Sequence, residues 1–262
     1  TVVTVACIAG AAGWLIAALV RGIPGGWMIE ALVVATLLAQ RSLYSHVAAV
    51  AQALRLDGLA GGRRAIRHIV SRDPASMDEP GIARAALESL SENFADAVVA
   101  PVFWYAVVGL PGILVYKAIN TADSMIGYRT DKYRAFGKAA ARADAVANWI
   151  PARLAGLITA LAAAFTGNNP ARALRVMWRD ARTHASPNAG WPEAAFAGAL
   201  GLALGGPRVY PGEGTKEHWI GGEGERRYGP KGIGRGLTLY VWACTLNAVA
   251  GIVILLTRIW LT

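Results

Sequence analysis

The stretch GLTLYVWACTLNAVAGIVILLT, residues 236–257, contains no charged side chain and is followed at once by Arg258 and Trp260. At a rise of about 1.5 Å per residue, a helix of this length crosses a bilayer core of about 30 Å. An arginine and a tryptophan just beyond it are interfacial anchors. A second uncharged run, TVVTVACIAGAAGWLIAALV (1–20), is long enough to do the same. It lacks the charged start and small-residue cleavage site of a signal peptide. Because the chain begins inside this run, a natural N-terminal segment is expected ahead of it. Composition agrees with membrane helices: 16% of residues are charged, against about 25% in soluble domains. The 55% hydrophobic content and mean hydropathy of +0.38 exclude a disordered chain. A formal charge of +9 suits polar parts that face an anionic membrane surface or substrate. The two cysteines, Cys7 and Cys244, lie inside apolar runs and read as small buried hydrophobes rather than a disulfide framework. With four histidines they also exclude a Cys/His zinc cluster.

Between the two long runs lie Ala31–Gln40, Ala97–Tyr116, Leu154–Ala171 and Ala194–Pro207, all uncharged. The fold class expected is therefore all-α: a polytopic membrane protein of four to six apolar segments forming one membrane-embedded domain. Arg21-Gly22-Ile23-Pro24-Gly25-Gly26 is a tight turn, which predicts a helical hairpin from the first two segments. Ala97–Tyr116 is interrupted by Gly109-Leu110-Pro111-Gly112. It reads as a broken re-entrant pair, with one proline-kinked span as the alternative. The polar stretches 41–96, 117–153, 172–193 and 208–235 are all basic, so strict alternation across the membrane would place some of them against the charge rule. Leu43, Val47, Val50, Ala51 and Leu54 form a helical stripe continuing the second segment. Asp78-Glu79-Pro80-Gly81 opens a helix that runs into Glu88, and Gly167-Asn168-Asn169-Pro170 is a turn. Strand signals are negligible, and the glycine-rich stretch 208–235 reads as a flexible loop.

Chemistry concentrates in three places. In ESLSENFAD (88–96), Glu88, Glu92 and Asp96 recur at i, i+4 and i+8, which puts three carboxylates on one helical face. Like charges there repel, and the ladder leads into an apolar run where ionisable groups are expensive. Mg²⁺ reconciles these facts, with Asn93 adding an amide oxygen; neutralisation by arginines such as Arg84 or Arg129 is the plain alternative. In KAINTADSMIGYR (117–129), Lys117, Asn120 and Ser124 share a face beside Asp123. With Arg129, Arg142 and Arg153 they suggest a polyanion site, since arginine forks match phosphate geometry and lysine supplies a mobile charge. Arg142 can also simply pair with Asp144. The third piece, HASPNAGWPE (184–193), offers His184 as a base or hydrogen-bond donor, while Ser186, Asn188 and Glu193 read as turn and capping residues. There is no G-x-x-x-x-G-K-[ST], so ATP would not sit in a P-loop. The basic residues are dispersed without a reading module, which argues against nucleic acid.

On ESLSENFADAVVAP (88–101), YKAINTADSMIGYRTDKYRAFGKAAARADAVANWIPARL (116–154) and HASPNAGWPEAAFAGAL (184–200), the chain resembles the CobD/CbiB family of cobalamin-biosynthesis membrane proteins. Family-like sequence extends from about residue 35 to 210. The resemblance implies an adenosylcobinamide-phosphate synthase of the cell inner membrane, with its active site on the cytoplasmic side. Such an enzyme uses ATP and Mg²⁺ to join (R)-1-aminopropan-2-ol phosphate, or a related amino-alcohol phosphate, to the free propionate of adenosylcobyric acid. Its partners would be the lipid bilayer and other late cobalamin-pathway enzymes. On this reading Glu88, Glu92, Asn93 and Asp96 hold the metal. Lys117, Asp123 and His184 serve the chemistry, and Asn120, Ser124, Arg129, Arg142, Arg153 and Asn188 bind substrate and phosphates. The family's N-terminal Gly-Asp-Pro and His-Pro motifs are not in this stretch. Asp144-Ala145 stands where relatives pair aspartates, and Ala97 where glycine is common. A non-enzymatic regulator of the AmpE type, or a corrinoid-binding scaffold, is the alternative.

Overall fold

The computed structural model describes residues 2–70, 73–126, 134–210 and 214–261, with side chains described except at 126, 134–136, 207–217 and 258–261. Nearly everything is helical: α1 Val2–Arg21, α2 Gly26–Leu37, α3 Gln40–Ile66, α4 Glu79–Phe94, α5 Ala100–Val108, α6 Leu110–Ile126, α7 Arg134–Ala147, α8 Trp149–Phe165, α9 Pro170–Asp180, α10 Gly190–Leu200 and α11 Pro230–Leu261. One antiparallel hairpin, β1 Leu204–Tyr210 and β2 Gly214–Ile220, interrupts them. The chain divides into two compact units: 1–39, 96–151 and 247–262 in the first, 40–95 and 152–246 in the second.

In the first unit, α1 and α2 form the expected hairpin, turned by Gly25 at φ 75°. Helix α1 packs closely on α6, where a side chain at Gly13 would come within 2.7 Å of Pro111 Cα. The apolar run 97–116 breaks at Gly109, whose φ of 76° and ψ of −154° leave the helical region. Gly112 then lies against the Trp104 carbonyl of α5. In one continuous helix those residues would be about 12 Å apart along the axis, so the chain doubles back as a broken pair, not a single kinked helix. Among the described residues, Val2–Arg21 and Pro230–Thr257 are long and apolar enough to cross a membrane, and Gly137–Ala147 with Trp149–Phe165 would make a third if that pair, bent by 47°, counts as one span. This is fewer than the four to six segments expected. Helices α2 and α5 are too short, and α10, which carries most of the 194–207 run, is buried along its whole length inside the second unit. Cys7 is exposed, not buried; it shares the outward surface of α1 with Val3, Ile8 and Trp14, which suits contact with lipid.

In the second unit, the stripe Leu43, Val47, Val50, Ala51 and Leu54 is buried on α3 as its spacing predicts. Leu38 is extended, however, so α3 starts afresh and does not continue α2. Helix α4 starts where Asp78 accepts the Gly81 N–H at 2.8 Å, and α9 where Asn169 accepts that of Arg172 at 2.9 Å. Both are side-chain caps of otherwise orphan donors. Within the stretch expected to be a loop, the hairpin is the main correction. Gly205 and Gly206 hold φ of 75° and 86°, and the Trp219 indole covers Gly206 where a side chain would otherwise stand. The guanidiniums of Arg84 and Arg226 lie 5.2 and 4.7 Å from the Trp219 ring centroid, within cation–π range.

Candidate functional site

Each unit contributes a polar cluster. In the first, α6 presents a short polar face to α7. Asn120 Nδ2 donates to Asp144 Oδ1 at 3.1 Å and Asn148 Nδ2 to Asp144 Oδ2 at 3.0 Å. The Tyr116 hydroxyl contacts Asn148 Oδ1 at 2.9 Å and the Asp96 carbonyl at 2.7 Å. Asp144 and Asn148 are buried, so both carboxylate oxygens are met by amides instead of being left in an apolar interior, where an unpaired charge costs several kcal/mol or more. Arg142 is exposed on α7 and is not Asp144's partner; two residues apart, they point to different faces. The Asp96 charge acts on Lys117, bringing one ladder member to the α6 face. Asp123 is half-buried, and its carboxyl is pushed above the usual carboxylate range by burial first and by Asp144 second. Ser124 turns its hydroxyl back to the Asn120 carbonyl of its own helix at 2.9 Å. Arg129 lies outside the described residues.

The members of the carboxylate ladder have different surroundings. Glu88 is buried, and its Oε1 accepts the Gly205 N–H at 2.8 Å, tying α4 to the hairpin. Its charge also reaches Tyr228, whose hydroxyl, raised mainly by burial and then by Glu88, donates to the Ala203 carbonyl at 3.2 Å. Glu92 is exposed. Asn93 donates its amide to Ser89 O at 2.9 Å, so its other atom, the oxygen, is the one left for a ligand. Before Asp96 the helix loosens to a π-turn over Ala95–Val99, and Asp96 falls in the first unit while Glu88 and Glu92 belong to the second. Among the described residues, no group of three or more His, Cys, Asp or Glu side chains is arranged to hold a metal ion. The donor set thus fits Mg²⁺ only in its usual protein mode, with one or two carboxylates plus phosphate oxygens.

In the second unit, Arg153 donates to Asn188 Oδ1 at 2.9 Å and to the Pro187 carbonyl at 3.3 Å, with its guanidinium 4.6 Å from the Trp191 ring centroid. Arg182, which spacing did not single out, is near enough for its charge to act on Arg153. Two guanidiniums of like charge near one another, one of them laid on the Trp191 ring, are an arrangement that an anion would relieve. His184 Nδ1 accepts the Ser186 N–H at 2.9 Å, and its Nε2 lies 3.5 Å from Glu193 Oε1. Both ring nitrogens have partners in the protein, so the histidine fastens the 184–193 turn. Glu193, expected as a cap, is buried. Ser186 does cap, accepting the Asn188 and Ala189 N–H groups at 3.3 and 3.2 Å.

Fold and clusters together define a helical protein with at least two helices suited to a membrane, carrying carboxylate–amide and arginine centres in its polar parts. Its family is shown by comparison: residues 1–240 match the family described as CobD/Cbib protein, and the chain belongs to that family. It is 54% identical over 231 residues to the "Cobalamin biosynthesis protein CobD" of Brucella suis biovar 1 (strain 1330), covering 87% of this chain and 70% of that protein. It is 52% identical over 238 residues to the protein of the same description from Rhodobacter capsulatus, covering 89% and 74%. No solved structure matches the chain.

Proposed function

We propose that this chain acts in cobalamin biosynthesis as an adenosylcobinamide-phosphate synthase. It would join the amine of (R)-1-aminopropan-2-ol phosphate, or a related amino-alcohol phosphate, to the free propionate of adenosylcobyric acid, with ATP as the energy source. Membership of the CobD/CbiB family supports the pathway. The observation that carries the chemistry is the polar face of α6, where Asn120 binds the buried Asp144 and the half-buried Asp123, its carboxyl raised mainly by burial, lies near enough to feel the Asp144 charge.

A propionate carboxylate is a poor acyl donor until one oxygen becomes a leaving group. Transfer of the terminal phosphoryl group to that oxygen gives an acyl phosphate and ADP. Attack by the amine nitrogen then forms the amide and expels phosphate, and the ammonium proton passes to a base. Asp123 suits that base, because a carboxylate with a raised pKa accepts a proton more readily. Lys117 would hold the charge developing on the transferring phosphoryl group. Arg129 and Arg142 would be further phosphate contacts; in the second unit, Arg153, oriented by Asn188 and Trp191 and with the charge of Arg182 near it, would bind an anionic group of its own. Mg²⁺ would supply charge neutralisation on the phosphates, and Asp96 is the carboxylate nearest in function to Lys117 that would face it. Use of ATP would suit a site on the cytoplasmic side of the inner membrane.

The test is product formation by purified protein in nanodiscs given adenosylcobyric acid, aminopropanol phosphate, ATP and Mg²⁺, with mass spectrometric detection of adenosylcobinamide phosphate. Wild-type protein should form it, and Lys117→Gln should not. Tight corrinoid binding with no product would refute the ligase and favour a scaffold that hands intermediates to partner enzymes.

A further inference from the structure

A groove of about 680 Å³ lies in the second unit between α3 and the start of α11, lined by Tyr44, Gln52, Arg55, Leu56, Val241 and Trp242 among others. That volume is in the range of small-ligand sites, about 300–1,000 Å³. The two helices run antiparallel along it: the Tyr240 hydroxyl donates to the Gln40 carbonyl at 3.0 Å, and Arg55 reaches the Pro230 carbonyl at 3.5 Å. Arg55 therefore marks the end beside Gly234, and Trp242 lies about 12 Å further along α11. The walls grade from cationic to apolar over that distance. Leu56, Val241 and Trp242 are all exposed, and Trp242 is braced by stacking on Phe165, centroids 5.1 Å apart and rings inclined by 13°.

The same stretch of α11 enters the uncharged run that begins at Gly236, so the groove sits where the helix passes from polar to apolar surroundings. Arg55 is exposed, its contact with Pro230 is at the weak limit of a hydrogen bond, and no carboxylate among the described residues pairs with it. We propose that this groove binds an anionic phospholipid, with the phosphate on Arg55 and one acyl chain lying over Leu56, Val241 and Trp242. Basic pockets between membrane helices recognise anionic head groups. Among the described residues no acidic side chain lines the groove, so the cation of a zwitterionic head group finds no carboxylate beside Arg55. The site is independent of the ligase reading, since none of its residues belongs to the clusters described above.

The test is native mass spectrometry of the detergent-purified protein titrated with phosphatidylglycerol or with phosphatidylcholine of the same acyl chains. Wild-type protein should retain phosphatidylglycerol about fivefold better, the ratio expected for one arginine facing a net negative lipid, because phosphatidylcholine offers the same phosphate but carries its own compensating cation. Arg55→Gln should bring the ratio near one, and Arg55→Lys should keep part of it. Thr238→Trp fills the groove from an exposed position on α11 and should lower retention of both lipids, with circular dichroism verifying that helicity is intact. Equal retention of the two lipids by wild type, or a preference that survives both Arg55→Gln and Thr238→Trp, would overturn the proposal. Loss of a dimer in Thr238→Trp without any change in lipid retention would assign the groove to a second copy of the chain and overturn it equally.

Discussion

Glu88 separates two uses of a buried carboxylate, and the structure sets the size of the effect. Its Oε1 accepts the Gly205 N–H at 2.8 Å, and the residue is only 7% exposed. Replacing it by alanine leaves that amide without its acceptor. Losing a hydrogen bond to a charged group costs about 1.5–3 kcal/mol, and the space left by the shortened side chain adds about 1 kcal/mol. A combined loss of roughly 3 kcal/mol corresponds to about a hundredfold increase in local opening of the hairpin. Hydrogen–deuterium exchange of the amides around 203–206 and 218–222 should rise by about that factor in Glu88→Ala. Glu88→Gln retains a carbonyl oxygen at the same place, so its exchange and its ligation rate should stay near wild type. A metal ligand behaves differently, because a neutral amide binds Mg²⁺ far less well than a carboxylate. If Glu88→Gln abolished product formation while leaving exchange unchanged, the structural assignment would be wrong and the ladder reading of Glu88 would be restored.

Asp123→Asn should lower ligation by about 10²–10⁴-fold, the usual contribution of a general base, while leaving stability at neutral pH equal or higher. A carboxyl raised in the folded state contributes stability at low pH and loses it as pH rises through its folded value, so removing the charge relieves that loss; thermal unfolding in detergent reads it. Asp180 has the opposite sign. Burial pushes it up, but the Arg179 fork, with one bond at 2.8 Å, and the Gly221 N–H at 2.7 Å outweigh burial and hold it below the usual range. Its contribution is present above an unfolded value of about 3.9 and disappears as pH falls through the lower folded value, so the stability gap between wild type and Asp180→Asn should close on acidification. Gly13→Leu should force α1 off α6, since even a Cβ comes within 2.7 Å of Pro111 Cα. A loss of about 1–3 kcal/mol, the usual cost of overpacking, should be seen in denaturant titrations.

What could be read from the sequence was whatever depends on neighbours along the chain. Length without charge identified the two long apolar helices, Asp78 and Pro80 opened α4, and residues 167–170 turned the chain after α8, because caps, turns and spans are local or additive properties. The hairpin could not be read this way. Gly205, Gly206 and Pro207 are poor strand formers, and what holds the pair includes contacts distant in sequence: Glu88 on the Gly205 amide, and Arg84 near the Trp219 ring that covers Gly206. Asp144 is a similar case. Along the chain its neighbour of opposite charge is Arg142, yet the fold gives it Asn120 from another helix and Asn148 one turn on. The ladder shows the limit most clearly, because i, i+4, i+8 spacing presumes a regular helix and the π-turn at Ala95–Val99 breaks that premise. Three carboxylates that look equivalent in sequence therefore meet three environments: a backbone amide for Glu88, an exposed surface for Glu92, and the charge of Lys117 for Asp96. Desolvation and partner, not spacing, decide what an acid does. Variants of Glu88, Glu92 and Asp96 should accordingly differ in kind: the first in folding of the hairpin, and the last in catalysis at Lys117.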